Sequence, residues 1–116
     1  MNLLEATRDK NLFARWFQDP QTWTAWRAFL ASLFALPMEP EQLATYQRCT
    51  GRTKPPTRPA TESWLVCGRR AGKSFVLALC AVYLACFFDY RRYLAPGERG
   101  TVLIIATNSK QARTEW

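Results

Sequence analysis

The sequence changes character at one place, and that change constrains the fold most. A short apolar stretch, Ser63-Trp64-Leu65-Val66-Cys67, runs into Gly68-Arg69-Arg70-Ala71-Gly72, and then into Lys73-Ser74 and an apolar run from Phe75 to Phe88. Glycine at both ends of a basic segment interrupts any regular element. The short stretch predicts a strand over 63–67, the glycine segment a loop, and the long run a helix from Lys73 to about Phe88. That helix is apolar on nearly all sides, so it is expected to be buried over most of its surface. The run from Phe75 to Phe88 would span roughly 21 Å as a helix, short of the ~30 Å of a bilayer's hydrocarbon core. It therefore reads as a core helix and not as a membrane span.

Asp89 to Gly100 is polar, contains Pro and Gly, and reads as a loop. Thr101-Val102-Leu103-Ile104-Ile105-Ala106-Thr107 is then a continuous run rich in β-branched residues, as in a parallel strand buried on both faces. Asn108 or Ser109 is placed to cap one more helix reaching Trp116. Residues 63–107 thus spell strand, loop, helix, strand, a βαβ unit whose crossover should be right-handed. The predicted class is α/β: N-terminal helices followed by a P-loop βαβ unit with an incomplete parallel sheet. The predicted organisation is a helical region with a Pro-rich linker over 1–62, then the start of an ATPase core over 63–116.

The first half of the chain is simpler. Residues 1–18 are weakly helical in pattern, with Leu3, Leu4, Leu12, Phe13, Trp16 and Phe17 as the apolar set. Asp19-Pro20 marks a clear helix start, since Asp can accept hydrogen bonds from open backbone N–H groups and Pro has none to lose. Trp23, Trp26, Phe29, Leu30, Leu33 and Phe34 then recur at three- and four-residue steps. Such an aromatic face packs into a core in most proteins, and stacking on DNA is its rarer use. Leu36-Pro37 is expected to end this helix. Glu39-Pro40-Glu41 should begin another, running through Leu43 and Tyr46 to Gly51. The stretch GRTKPPTRPAT over 51–61, with its prolines and cations, predicts an extended surface linker. No internal repeat is visible.

Charge narrows the partners. Sixteen lysines and arginines face nine acids, giving a net charge of +7 and a pI near 9.7. Such a chain suits phosphate-rich partners, nucleic acid or nucleotide. The four cysteines form no CxxC pair and the chain has no histidine, so a zinc site has no framework. Cys67, Cys80 and Cys86 lie in apolar runs and are expected to be reduced core residues. The opening MNLLEATRDKNLF mixes acids with apolar residues and has no signal-peptide core.

The chemistry sits in Cys67-Gly68-Arg69-Arg70-Ala71-Gly72-Lys73-Ser74. The phosphate-loop pattern is G-x-x-x-x-G-K-[ST], and Cys67 stands where the first glycine would be. Backbone N–H groups of Gly68, Arg69, Arg70, Ala71 and Gly72 would surround phosphate oxygens, with the helix N-terminus facing the negative charge. Gly72 would allow close backbone approach. Lys73 would reach the β- and γ-phosphates of ATP, and the Ser74 hydroxyl would ligate Mg²⁺. Arg69, and with less reason Arg70, would stabilise charge on the γ-phosphoryl group. The plain alternative is a glycine turn with solvated cations.

These residues resemble the large terminase subunits of tailed phages, in which the phosphate loop often lacks its opening glycine and carries an arginine where Arg69 stands. Asp19-Pro20 with Trp23 and Trp26, Tyr46, Thr50-Gly51-Arg52 before a Pro-rich stretch, and Asn108-Ser109-Lys110-Gln111-Ala112 after the apolar run extend the resemblance over most of the chain. The resemblance implies an ATP-driven motor that packages double-stranded DNA, working in the host cytoplasm as a ring with a small terminase subunit and a portal, and away from membranes. It also implies that Gln47 reads adenine, and that a nuclease follows the ATPase. The departures are as informative. After the loop the acids are Asp89, Glu98 and Glu115, and none closes an apolar strand as Walker B does. The expectation is therefore the N-terminal portion of such an ATPase, inactive by itself. Two other readings remain open: part of a helicase-like P-loop translocase, or a basic DNA-binding adaptor using Arg48, Arg52, Lys54 and Arg58 against phosphates.

Overall fold

The structure, a computed structural model, describes residues 1–105. The chain forms two compact units, one from Met1 to Leu65 and one from Val66 onward.

The first unit is helical. Helix α1, Leu3–Ala6, is short and closed by a reciprocal pair: Asn2 Oδ1 accepts the Glu5 N–H and Glu5 Oε2 accepts the Asn2 N–H, each at 2.9 Å. That pairing satisfies two open donors at once. A 3₁₀ turn follows at Ala14–Trp16. Helix α2, Pro20–Leu33, starts where Asp19-Pro20 directs it. Asp19 Oδ1 accepts the Gln21 N–H at 3.0 Å, and Asp19 Oδ2 accepts the Thr22 hydroxyl. Helix α3, Pro40–Thr50, opens with Gln42 Oε1 accepting the Glu39 N–H at 3.0 Å. It closes at Gly51, whose left-handed φ of 73° lets its N–H reach the Gln47 carbonyl.

The end of α2 is less regular. Pro37 cannot supply an N–H to the Leu33 carbonyl, and it pushes Leu36 towards extended backbone. The helix stops before it, and Ala35 turns left-handed at φ 50°. The Leu36 N–H then returns to the Ala31 carbonyl at 2.8 Å, the six-to-one bond of a Schellman ending. The Leu33 carbonyl, left open, accepts the Ala60 N–H at 2.9 Å. That bond ties the proline-rich coil back onto the helix end.

The core of this unit is Leu3, Leu4, Ala6, Phe17, Ala28, Leu30, Ala31 and Tyr46. The aromatic stripe of α2 is only half buried; Trp23 stacks on Phe17 with centroids 4.7 Å apart, and Trp26 meets Phe29 edge-on at 5.9 Å. Between the rings Ala28, Leu30 and Ala31 are buried, while Ala25 is exposed. Arg8 Nη2 lies 3.1 Å from Glu39 Oε1 on the surface, a pair of small energetic weight.

The second unit holds helix α4, Lys73–Cys86. Its buried residues are Val76, Leu79, Cys80, Ala81 and Tyr83, while Phe75, Leu77 and Leu84 are exposed. The helix is thus buried along one stripe and not on most of its surface as its composition predicts. Burial pushes the Cys80 thiol up to about 11. Cys86, expected in the core, is exposed at the helix end, and Cys67 is half buried; all four cysteines are free thiols. The Tyr90 hydroxyl donates to the Leu84 carbonyl at 2.6 Å and closes the end of the helix.

The predicted α/β class is wrong. Among the described residues there is no strand, so the βαβ unit and its parallel sheet are absent. Residues 63–67 and 101–105 are irregular. A strand exists only against a neighbour that takes its N–H and C=O groups, and a β-branched run prefers a pleated surface that is half covered. Neither run finds one: Val66 is 100% exposed, Trp64 87%, Leu103 77% and Ile105 84%. The rest of the second predicted strand and the helix expected after Asn108 or Ser109 lie outside the described residues.

Candidate functional site

The glycine segment becomes a turn over residues 69–72 that delivers the chain into α4. Two of its residues are left-handed, Arg70 at φ 59° and Gly72 at φ 87°. Gly72 occupies the N-cap position, and its carbonyl accepts the Val76 N–H at 3.1 Å. Glycine suits that position because a side chain there would crowd the following carbonyl. Arg70 holds the same conformation without that freedom, at a cost on the order of 1 kcal/mol. Backbone that alternates between the two hands is one way a chain forms a concavity that receives anions.

The start of α4 differs from the starts of α1 and α2. Those two are capped by Asn2 and Asp19, whereas α4 has no side-chain cap and no acid in its first turn. Residues 63–88 contain no acid at all. Arg69, Arg70 and Lys73 are exposed and make no ion pair with any described residue. The partial positive charge of the helix N-terminus and three full charges therefore lie within a few residues of one another, with no acid among the described residues paired to them.

Gly68, Arg69, Arg70, Ala71, Gly72, Lys73 and Ser74 are thus brought together in one turn and one helix start. Lys73 is the first helical residue and exposed; Ser74 is the second and half buried. A Cβ added at Gly68 would meet nothing within 4 Å, so no close approach requires that glycine. Gln47 belongs to the first unit, where its Nε2 donates to the Thr53 carbonyl at 2.9 Å and holds the coil that follows α3.

Among the described residues no three His, Cys, Asp or Glu side chains gather as they would to hold a metal ion. The left-handed Arg70 could not be read from the sequence, because arginine carries no conformational signature and the pattern marks its glycines only.

No known protein family matches the sequence, and no curated protein or solved structure is significantly similar to it. Among the described residues no helix is long and apolar enough to cross a membrane.

Proposed function

We propose that residues 68–74 bind the polyphosphate of ATP with Mg²⁺ and that the chain belongs to an ATPase acting on double-stranded DNA, as its resemblance to large terminase subunits implies. One observation carries the reading: a left-handed turn opens into a helix start that has no side-chain cap, no acid in its first turn, and three cations that pair with no acid among the described residues. Lys73 is the phosphate-contacting cation, Arg69 a second one, and Ser74 the Mg²⁺ ligand. The reading does not require a parallel sheet, since the anion site consists of one turn and one helix end. By the same resemblance its partners would be a small terminase subunit, a portal and further copies in a ring, in the host cytoplasm.

Calorimetric titration of the full chain with Mg-ATP and with inorganic tripolyphosphate tests it. Binding of both, lost in Lys73→Ala and weakened in Arg69→Ala, is the expected result. Equal binding by the parent and Lys73→Ala sinks the proposal. No hydrolysis above buffer is expected, because residues 63–88 offer no carboxylate to orient water.

A second reading has its own observation. Arg48, Arg52, Lys54 and Arg58 are exposed and make no ion pair with described residues. Such a strip fits a DNA-binding adaptor without nucleotide chemistry. DNA affinity that falls steeply with salt, unchanged by ATP and lost on replacing these four residues, would favour it over the first.

A further inference from the structure

The loop after α4 has a surface that the phosphate site does not use. Its sequence, Phe87-Phe88-Asp89-Tyr90-Arg91-Arg92-Tyr93, alternates rings and guanidinium groups. The rings form a connected series. Tyr83, buried in the helix, lies 5.2 Å from Phe87 and 5.3 Å from Phe88, and Phe88 lies 6.1 Å from Tyr90. Phe88, Tyr90 and Tyr93 are exposed, Tyr93 to 71%. The Arg92 guanidinium sits over the Tyr93 ring at 4.8 Å from its centroid. It covers part of the ring and leaves most of it in water.

The loop is held in this shape by its own acids. Asp89 Oδ1 accepts the Arg91 N–H at 3.0 Å, and Glu98 Oε2 accepts the Ala95 N–H at 2.8 Å. The Tyr93 N–H returns to the Tyr90 carbonyl at 2.8 Å and the Glu98 N–H to the Ala95 carbonyl at 2.9 Å. Both carboxylates are therefore engaged by backbone. Among the described residues the loop's one ion pair is the loose Arg91–Asp89 contact at 4.0 Å, between exposed side chains. Arg92 and Arg99 make no ion pair with described residues. Over residues 66–105 six cations stand against two acids, a net charge of +4 out of the chain's +7.

We infer that the Phe88–Tyr93 loop binds single-stranded nucleic acid, with bases stacking on the exposed rings of Tyr93, Phe88 and Tyr90 and phosphates meeting Arg91, Arg92 and Arg99. Exposed rings interleaved with cations are the elements of a sequence-tolerant single-strand site. The rings decide between nucleic-acid forms. A duplex keeps the faces of its bases stacked on one another and offers the loop only phosphates, whereas a single strand can turn a base out onto a ring. An arginine already stacked on Tyr93 extends the flat surface and places a charge beside it. This site does not depend on nucleotide binding at residues 68–74.

The test measures anisotropy of a fluorescent twelve-nucleotide oligothymidylate, the matching duplex, and vesicles containing phosphatidylserine, each titrated with the full chain. Oligothymidylate should bind more tightly than duplex. Tyr93→Ala should weaken it about tenfold, and Tyr93→Phe should restore it, because stacking needs the ring and not the hydroxyl. Arg92→Gln should lower the slope of log affinity against log salt by about 0.7. Tyr93 is exposed, so its loss leaves the helical circular dichroism unchanged, and tripolyphosphate binding should also be unchanged. Equal binding of duplex and single strand with no effect of Tyr93→Ala would overturn the proposal. So would no oligonucleotide binding, or binding to vesicles in its place.

Discussion

Ala35 shows how one residue can oppose its own local preference. Alanine is the strongest helix former, yet here it holds φ at 50° just past α2. Proline two residues later ends the helix, and the Leu36 N–H and Ala31 carbonyl close the turn only if Ala35 goes left-handed. The strain is tolerated because the Schellman bonds and the Ala60 N–H on the Leu33 carbonyl hold the turn from both sides. Glycine has no such strain, although it gives the unfolded chain more freedom. Ala35→Gly should therefore stabilise the first unit by up to about 1 kcal/mol, read as a higher melting temperature by circular dichroism. An unchanged or lower melting temperature would mean that Ala35 is not left-handed in solution. Arg70 is the contrasting residue, with the same conformation but within the candidate site. There Arg70→Gly should also relieve strain, but it removes a cation from the proposed phosphate site.

At the scale of elements, helix starts were legible and strands were not. Asp19-Pro20 and Glu39-Pro40 sit where α2 and α3 begin, and Gly51 sits where α3 ends, because a cap is settled by groups within four residues of one another. The run of Lys73 to Cys86 likewise announces its helix, although not which side faces water. Residues 63–67 and 101–105 have the composition of strands, but a strand depends on a distant partner that composition cannot guarantee. Of the candidate site, the turn and the helix start were legible as elements, and the bond from Gln47 to the Thr53 carbonyl was not, because it depends on how the coil after α3 folds back. The α2 cap allows a test in acid. The Thr22 hydroxyl first, and the Gln21 N–H second, hold the Asp19 carboxyl below its ordinary value of 3.8, against a small opposing effect of burial. A carboxyl lowered in the folded state stabilises it above the ordinary value, and that stabilisation disappears as pH falls through the folded-state value. Asn also caps a helix but does not titrate. The gap in melting temperature between the parent and Asp19→Asn should be largest near neutral pH and close below about pH 4. A gap that stays constant with pH would show that the Asp19 charge contributes nothing to the cap.

For the molecule as a whole, two surface properties of the residues from Val66 onward pull in opposite directions. Phe75, Leu77, Leu84, Val102, Leu103 and Ile105 are all exposed, and large apolar side chains in water favour association. The same residues, 66–105, carry six cations and two acids, so copies repel one another. Repulsion reaches about 30 Å at 0.01 M salt and only about 3 Å at 1 M, while the apolar attraction does not depend on such screening. Salt should therefore decide the balance. Sedimentation velocity at low salt should give a monomer, and the sedimentation coefficient should rise with salt and with protein concentration. Leu103→Ser combined with Ile105→Ser should restore the monomer at high salt, since it removes apolar area while leaving every charge in place. Association that weakens with salt would point instead to contacts held by charge, and the exposed residues around Leu103 would then have no part in it.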